Sequence, residues 1–555
     1  MINKIKQFMA KKPISANTLI ILLSCYFIAV FNQPFLSLAF TKLLALKEHS
    51  NVFMFTVPFL LLSLLLIIFS LISVKYLLKP ALILFTLLSS LVFYATFTYG
   101  IVFDYSMMIN IVETDNAEAF MYLNIEAILF FLFSGILPAL LIAFAKVTYQ
   151  PFLKELLQRL KLVGGAILLF LTIAYFFYSN YAAFGRNNHE LKKYIVPIQY
   201  IDSGYKVIRD KFFTAPVQFK IIDPKPVMKN ADPLSNTNDD SNTKNKNVMV
   251  LVIGETARAM NFSYNGYQRK TNAYTPDYNP IYFQHMTSCG TATSTSLPCL
   301  FSSLNRKNFD KKVADNQQNL LDIAKLAKID VLWIDNQSGC KGVCKRVETI
   351  KIPTNKEKPL CDGDYCFDEA LLEPLNTKLT QLNTKSTLIV LHTIGSHGPT
   401  YYRRYPHDFA KFLPDCQRSD IQNCTAEQLI NTYDNTIAYT DFVLAKIMKQ
   451  LQKLPENIKA TMLYVSDHGE SLGESGAYLH GFPYAFAPKE QIEIPMLFWQ
   501  SSQNKTIQHD CLTDIANNET LSHDNIFSSL LSLLEIQSSA YRADDDIFKG
   551  CKTQN

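Results

Sequence analysis

The sequence predicts a two-part protein: an N-terminal five-helix membrane domain, then a C-terminal α/β domain built on a mainly parallel sheet. Three observations lead there. Five long apolar runs crowd the first third of the 555 residues. Beyond them, short apolar segments alternate with helical patterns, the signature of strands covered by helices on both faces. Finally, three of those short segments run straight into acidic and imidazole side chains. In open α/β sheets ligands bind beyond the carboxyl ends of the strands, so these residues converge on one sheet edge.

Residues 17–40, 52–74, 80–101, 121–145 and 163–181 each offer close to the ~20 mainly apolar residues needed to span a bilayer. Asn32-Gln33-Pro34 interrupts the first, which reads as one kinked span. A cleaved signal peptide is the alternative for this run, but no small-residue cleavage site follows it. Loop charges set the orientation. Lys4, Lys6, Lys11 and Lys12 precede the first run, Lys75 and Lys79 follow the second, and Lys146, Lys154, Arg159 and Lys161 follow the fourth. The first loop has only Lys42 and Lys47 nearby, and the third carries Asp104, Glu113, Asp115 and Glu118 without a Lys or Arg. The positive-inside rule puts the amino terminus in the cytoplasm, and five crossings leave the C-terminal domain outside. The net charge of +5 adds little, and no nucleic-acid partner is expected.

Cysteine usage agrees. Cys25 lies in a span, and the other ten lie in the outer domain, as disulfides in an oxidising compartment would. Close spacing suggests Cys289–Cys299, Cys340–Cys344, Cys361–Cys366 and Cys416–Cys424, leaving Cys511–Cys551 by elimination. A zinc site of Cys340, Cys344, Cys361 and Cys366 is the competing reading; thiols facing an oxidising space pair first.

The boundaries then fall at 1–182 for the transmembrane domain, 183–247 for an interfacial segment and linker, and 248–555 for the outer domain. Residues 189–213, rich in Lys, Tyr and Ile, suit the membrane surface, although Pro197 argues against one unbroken helix. Residues 235–247 (SNTNDDSNTKNKN) have almost nothing to bury and read as an exposed loop. Strands are expected at 248–253, 331–334, 386–391 and 461–465, and helices at 318–328 and 428–454. There is no internal repeat and no Walker or dinucleotide glycine pattern.

Glu255 follows the first strand, although a carboxylate there also favours the start of a helix. Asp467 and His468 end the last strand, followed by Gly469 and Glu470, and offer the oxygen and nitrogen ligands that zinc accepts. The hydroxyl-rich stretch from Ser288 to Cys299, bracketed by two cysteines, supplies a nucleophile candidate. An ordinary helix-capping loop has the same composition. A threonine hydroxyl is a poor nucleophile at neutral pH, and coordination to a metal activates it. His392, His397 and His480 complete the set, for holding phosphate oxygens, moving a proton to the leaving group, or binding a second metal. Ser338 and Lys341 follow another strand and suit phosphate or substrate contact, or simply a surface loop.

Gly254-Glu-Thr-Ala-Arg-Ala259, Asn261-Phe-Ser263, Asn265-Gly-Tyr267, Ser288-Cys-Gly-Thr291, Gly395-Ser-His-Gly-Pro399 and Ser466-Asp-His-Gly-Glu-Ser-Leu-Gly-Glu474 together resemble the bacterial phosphoethanolamine transferases. The likeness is closest to those that modify lipid A, among them the mobile colistin resistance enzymes. It implies an inner-membrane enzyme with a periplasmic alkaline-phosphatase/sulfatase-like domain. By position it makes Glu255, Thr293, Asp467 and His468 zinc ligands, with Thr293 the nucleophile and room for a second zinc. His397 and His480 match residues that bind substrate phosphate or that second metal, with His392 beside them. Thr291, Ser338 and Lys341 fall near phosphoethanolamine positions, and Asn110, Thr114 and Glu118 match membrane-side substrate residues. Four-residue spacing would put those last three on one face of a helix. The implied reaction takes phosphoethanolamine from phosphatidylethanolamine to lipid A through a covalent threonine intermediate, in a monomer, and weakens binding of polymyxin. Core sugars as acceptor, glycerophosphate transfer, a phosphatase, and a non-catalytic lipid-binding receptor are the rival readings.

Overall fold

The computed structural model describes residues 13–45, 51–114, 116–213, 217–229, 246–382 and 386–553. The loop expected at 235–247 lies outside these residues up to position 245, as do Lys4, Lys6, Lys11, Lys12, Lys47 and Asp115 of the orientation argument. Two compact units emerge. One holds residues up to Met108 together with Leu123–Phe213; the other joins Ile109–Tyr122 to everything from Thr214 onward.

The first unit is an apolar helical region. Asn51–Leu71, Leu78–Tyr99, Ile125–Phe144 and Phe152–Tyr178 are long and apolar enough to cross a membrane. Ala16–Phe31 and Gln33–Leu44 pass only as a pair, bent by 63°. The bend sits where Pro34 cannot donate to the helix ladder. Asn32 compensates: fully buried, it donates to Phe27 O at 3.0 Å and Val196 O at 2.9 Å and accepts from Val196 N at 3.0 Å. Gly100, at φ 74, ends Leu78–Tyr99 in the left-handed conformation that a helix C-terminus favours. The 189–213 stretch breaks at Pro197, which precedes the helix Ile198–Ile208.

The second unit is built on a seven-stranded sheet. Its strands in chain order are β1 (Lys246–Gly254), β2 (Ile281–Phe283), β3 (Asp330–Asp335), β4 (Glu348–Lys351), β5 (Ser386–His392), β6 (Ile458–Ser466) and β7 (Met496–Gln500). Across the sheet they run β2-β7-β6-β1-β5-β3-β4. The five from β6 to β4 pair in parallel, whereas β7 is antiparallel to both β6 and β2. The sheet is therefore mixed. A parallel return needs a crossover, usually a helix. Residues 467–495 hold no helix of that kind, and the chain comes back antiparallel. β2 escapes the apolar-run criterion because it is short and β4 because it is exposed along its whole length, whereas β7 is a buried apolar run that the sequence reading passed over. The helices Leu320–Leu326 and Ala426–Gln452 occupy the predicted places, each started by a capping box, at Asn319 and at Thr425.

Register positions the site. Asp335 pairs with His392, His392 with Ile253, and Ile253 with Val465. The ends of β3, β5, β1 and β6 are thus level, and Glu255 and Asp467 emerge side by side just beyond them. The ten outer cysteines pair as Cys289–Cys299, Cys340–Cys344, Cys361–Cys366, Cys416–Cys424 and Cys511–Cys551. Cys340, Cys344, Cys361 and Cys366 therefore form no metal cluster.

Candidate active site

Glu255, Asp467 and His468 are completely buried, and each offers a ligand atom within 4.8 Å of the others. Thr293 opens the helix Thr293–Leu300, whose far end carries the Cys289–Cys299 bridge. Its Oγ1 lies 3.1 and 3.2 Å from the two Glu255 carboxylate oxygens and 3.3 Å from His468 Nε2. A helix amino terminus also favours a neighbouring anion.

The His468 ring is held in one tautomer. Nδ1 donates to Gly469 O at 2.9 Å, which leaves Nε2 as the lone-pair nitrogen facing Thr293 and, at 3.3 Å, Asp467 Oδ2. Asp467 Oδ1 accepts from Thr256 N at 3.2 Å and His468 N at 2.7 Å. Burial, outweighing the hydrogen bonds that the Asp467 carboxyl accepts, pushes it up to about 6, and burial together with the nearby His480 pushes the His468 imidazole down to about 4. Two carboxylates, a hydroxyl and a lone-pair imidazole around one point form an oxygen-and-nitrogen set that suits zinc. A cation there offsets the desolvation of both acids.

Local backbone is bent to build this point. Thr256 sits at φ 52, a rare conformation for a β-branched residue. It is held by Tyr433, whose hydroxyl donates to Thr256 O at 2.6 Å. Gly395, at φ 49, passes so close that a Cβ there would lie 2.7 Å from Glu255 O.

A second buried group adjoins the first. Glu470 Oε2 lies 2.8 Å from His480 Nδ1, and Tyr401 donates its hydroxyl to Glu470 Oε1 at 2.5 Å. His468, Glu470 and His480 also offer ligand atoms within 4.8 Å of one another. The His480 ring lies 4.5 Å from that of His468 and 5.6 Å from that of His397, centroid to centroid. Burial pushes the Glu470 carboxyl up to about 7.

Other candidates lie around this centre. His392 is buried at the end of β5, its Nδ1 3.3 Å from Asp335 Oδ1 and its ring edge-on to Trp333. Its imidazole feels the Glu255 and Asp467 carboxylates, which places it behind the metal-binding set. Thr291 donates its hydroxyl to Phe482 O. Lys341, at φ 46 within the Cys340–Cys344 loop, donates to Ser338 Oγ at 2.9 Å.

Asn110, Thr114 and Glu118 do not share one helix face. The helix Tyr105–Glu113 ends before Thr114, and Glu118 belongs to the separate short helix Asn116–Met121. Thr114 turns its hydroxyl back to Asn110 O at 2.8 Å, the side-chain bond by which threonine competes with helix continuation.

Sequence reasoning missed Tyr401 and Arg404, both fully buried beside the histidines. The Tyr401-Tyr-Arg-Arg404 run after Pro399 was the available signal, but aromatic and basic residues there read equally well as surface.

Among known families, the sulfatase family matches residues 247–536 and "Phosphoethanolamine transferase EptA/EptB" matches residues 61–212. The chain is 38% identical to phosphoethanolamine transferase EptA of Escherichia coli strain K12, over 95% of this chain and 94% of that protein. It is 37% identical to phosphatidylethanolamine transferase Mcr-1 of Escherichia coli, over 87% of this chain and 88% of the other. Its structure is similar to that of the integral membrane protein lipooligosaccharide phosphoethanolamine transferase A from Neisseria meningitidis. The TM-score is 0.91 at 35% identity, covering 98% of this chain and 100% of that one. With a sulfatase-type domain after an apolar helical region, and full-length relatives of this similarity, the chain belongs to the phosphoethanolamine transferases and is an enzyme of that family.

Proposed function

We propose that this enzyme transfers phosphoethanolamine from phosphatidylethanolamine to a phosphate of lipid A through a covalent phosphoethanolamine-threonine intermediate at Thr293. The observation that carries the reading is the position of Thr293 Oγ1, within 3.3 Å of both Glu255 oxygens and His468 Nε2. The name of the Mcr-1 relative supports the donor, and that of the Neisseria structure supports a lipooligosaccharide acceptor.

Glu255, Asp467, His468 and Thr293 would hold zinc, which would supply the positive charge that lowers the pKa of a hydroxyl at this point. The Thr293 proton faces the Glu255 carboxylate. Thr293 Oγ1 attacks phosphorus, the bond to the glycerol oxygen breaks, and diacylglycerol leaves with a proton from His397 or His480. Glu470 holds the His480 ring through Nδ1 for this task. A lipid A phosphate oxygen then attacks the same phosphorus, and Thr293 leaves and recovers its proton. A second zinc on Glu470 and His480 would take His480 out of the proton-donating role and leave the proton transfer to His397.

Residues 1–182 form the transmembrane domain in this reading, with the bent pair as one of five crossings and the amino terminus in the cytoplasm. Residues 183–247 serve as an interfacial segment and linker, and 248–555 work as a monomer in the periplasm. The product carries a diphosphate bridge of charge about −2 beside an ammonium, so a phosphate of about −1.5 to −2 becomes a group of net charge about −1, which weakens attraction for polymyxin.

Mass spectrometry of lipid A tests this, comparing cells with and without the chain. One added phosphoethanolamine is expected, together with labelled phosphoethanolamine retained on the Thr293 peptide. Unchanged lipid A overturns the acceptor, and an unlabelled peptide overturns the intermediate.

A further inference from the structure

The segment Ile109–Tyr122 packs with the catalytic unit although its neighbours in sequence belong to the helical one. Two attachments hold it there. At one end, Glu113 Oε1 lies 3.1 Å from Lys311 Nζ, and Lys311 is steadied by Asp315 at 3.0 Å. Lys341 adds a longer bond, Nζ to Glu113 O at 3.4 Å, at the carbonyl end of the helix where a cation is favoured.

At the other end, Met121 is 5% exposed. Its sulfur accepts from Thr400 Oγ1 at 2.8 Å and from Arg404 Nη2 at 3.0 Å. Arg404 is itself buried, stacked 4.5 Å over the Tyr365 ring, and donates from Nε to His397 O at 2.8 Å. A fully buried guanidinium that engages a thioether and no carboxylate by hydrogen bond, among the described residues, is unusual for a merely structural cation. Between the two attachments, Asn116 and Met121 line a cavity of about 590 Å³ opposite Ser338, Tyr365 and His397.

We propose that Glu113–Lys311 and Met121–Arg404 form a two-point clasp that holds the segment over this cavity and sets the lipid donor in register with His397. Met121, Glu113 and Arg404 are positioning residues. They act through the segment. The inference rests on the reading that Asn110, Thr114 and Glu118 of this segment meet the donor.

The test uses the zinc-loaded full-length protein in detergent, with two donors: phosphatidylethanolamine in mixed micelles, and a soluble aryl phosphodiester of ethanolamine. Glu113→Gln and Met121→Ala are made singly and together. Neither removes a residue placed at the reacting centre. The double variant is expected to raise KM for the lipid donor about tenfold, with turnover of the soluble diester within twofold of the unmodified enzyme. Hydrogen exchange across 109–122 should rise in the same variant. Equal losses on both donors, or an unchanged KM for the lipid with unchanged exchange, overturn the clasp. Failure of the underlying reading looks different: the unmodified enzyme then turns over neither donor, or Thr293→Ala still turns over both.

Discussion

Thr293 Oγ1 and His468 Nε2 stand 3.3 Å apart in a site from which water is almost wholly excluded, the imidazole offering its lone pair because its other nitrogen is spent on Gly469 O. Thr293→Ala is expected to cut transfer by about 10³-fold or more while leaving the thermal midpoint within ~2 °C, since only one hydroxyl and one methyl are lost. Thr293→Ser should retain measurable transfer. Single-turnover assays with labelled donor check both, and an alanine variant that still transfers removes Thr293 from the reaction.

Chelation should separate assembly from chemistry. With Glu255 and Asp467 buried beside each other, removing the cation is expected to abolish transfer and lower the thermal midpoint, and zinc should restore both. A ligand present at 100 times its Kd stabilises by about 2.7 kcal/mol. Calorimetry before and after dialysis against chelator reads this; a midpoint indifferent to zinc would count against the donor set.

His523 predicts an acid limit away from the reacting centre. Its Nδ1 accepts from Cys289 N at 3.2 Å and its Nε2 donates to Ser466 O at 2.9 Å, so it bridges the nucleophile loop and β6 as the neutral ring. Burial pushes its pKa down to about 4 from 6.5. The unfolded chain therefore takes up the proton first as pH falls. The stability this group contributes is fully present above pH 6.5 and is lost between 6.5 and 4, on the order of 3 kcal/mol. Denaturant titrations of the zinc-loaded protein across this range should show a steeper acid decline than those of His523→Gln.

Glu470→Gln should keep the fold yet disturb His480, because a neutral amide cannot hold the imidazolium that forms when this ring carries a proton. A loss of about 10²-fold in turnover is expected, as for a misplaced general acid. KM for the donor should change far less. Steady-state kinetics at several pH values check the split; a change confined to KM would move Glu470 to a binding role.

The Cys289–Cys299 bridge closes a short loop around the nucleophile. Replacing both cysteines with serine is expected to cost about 3 kcal/mol and to lower transfer more than stability alone explains, since Thr293 loses its anchor. Equal activity per folded molecule would reduce the bridge to a stabilising one.

Much of this was legible before any coordinates. β1, β5 and β6 announce themselves as mainly apolar runs because both faces of the strand are covered, and each ends at or one residue before a side chain of the site. Close cysteine spacing is equally direct. What stays hidden depends on contacts far apart in sequence. Tyr401 meets Glu470 across 69 positions, and Arg404 meets Met121 across 283, so neither leaves a local pattern. Short edge strands such as Ile281–Phe283 carry too few residues to show a period. Thr114 marks the opposite failure. Its regular spacing from Asn110 and Glu118 suggested one helix, and its own hydroxyl lies at the point where that helix stops.

Gly395 fixes how freely this enzyme can vary. At φ 49 and against the Glu255 backbone, it leaves no volume for even one added carbon. Two loops thus occupy a single slot, and any drift of one toward a bulkier residue would be felt as a displaced carboxylate on the other. Tolerance to mutation at this spot is limited by room, whatever chemistry the new side chain offers.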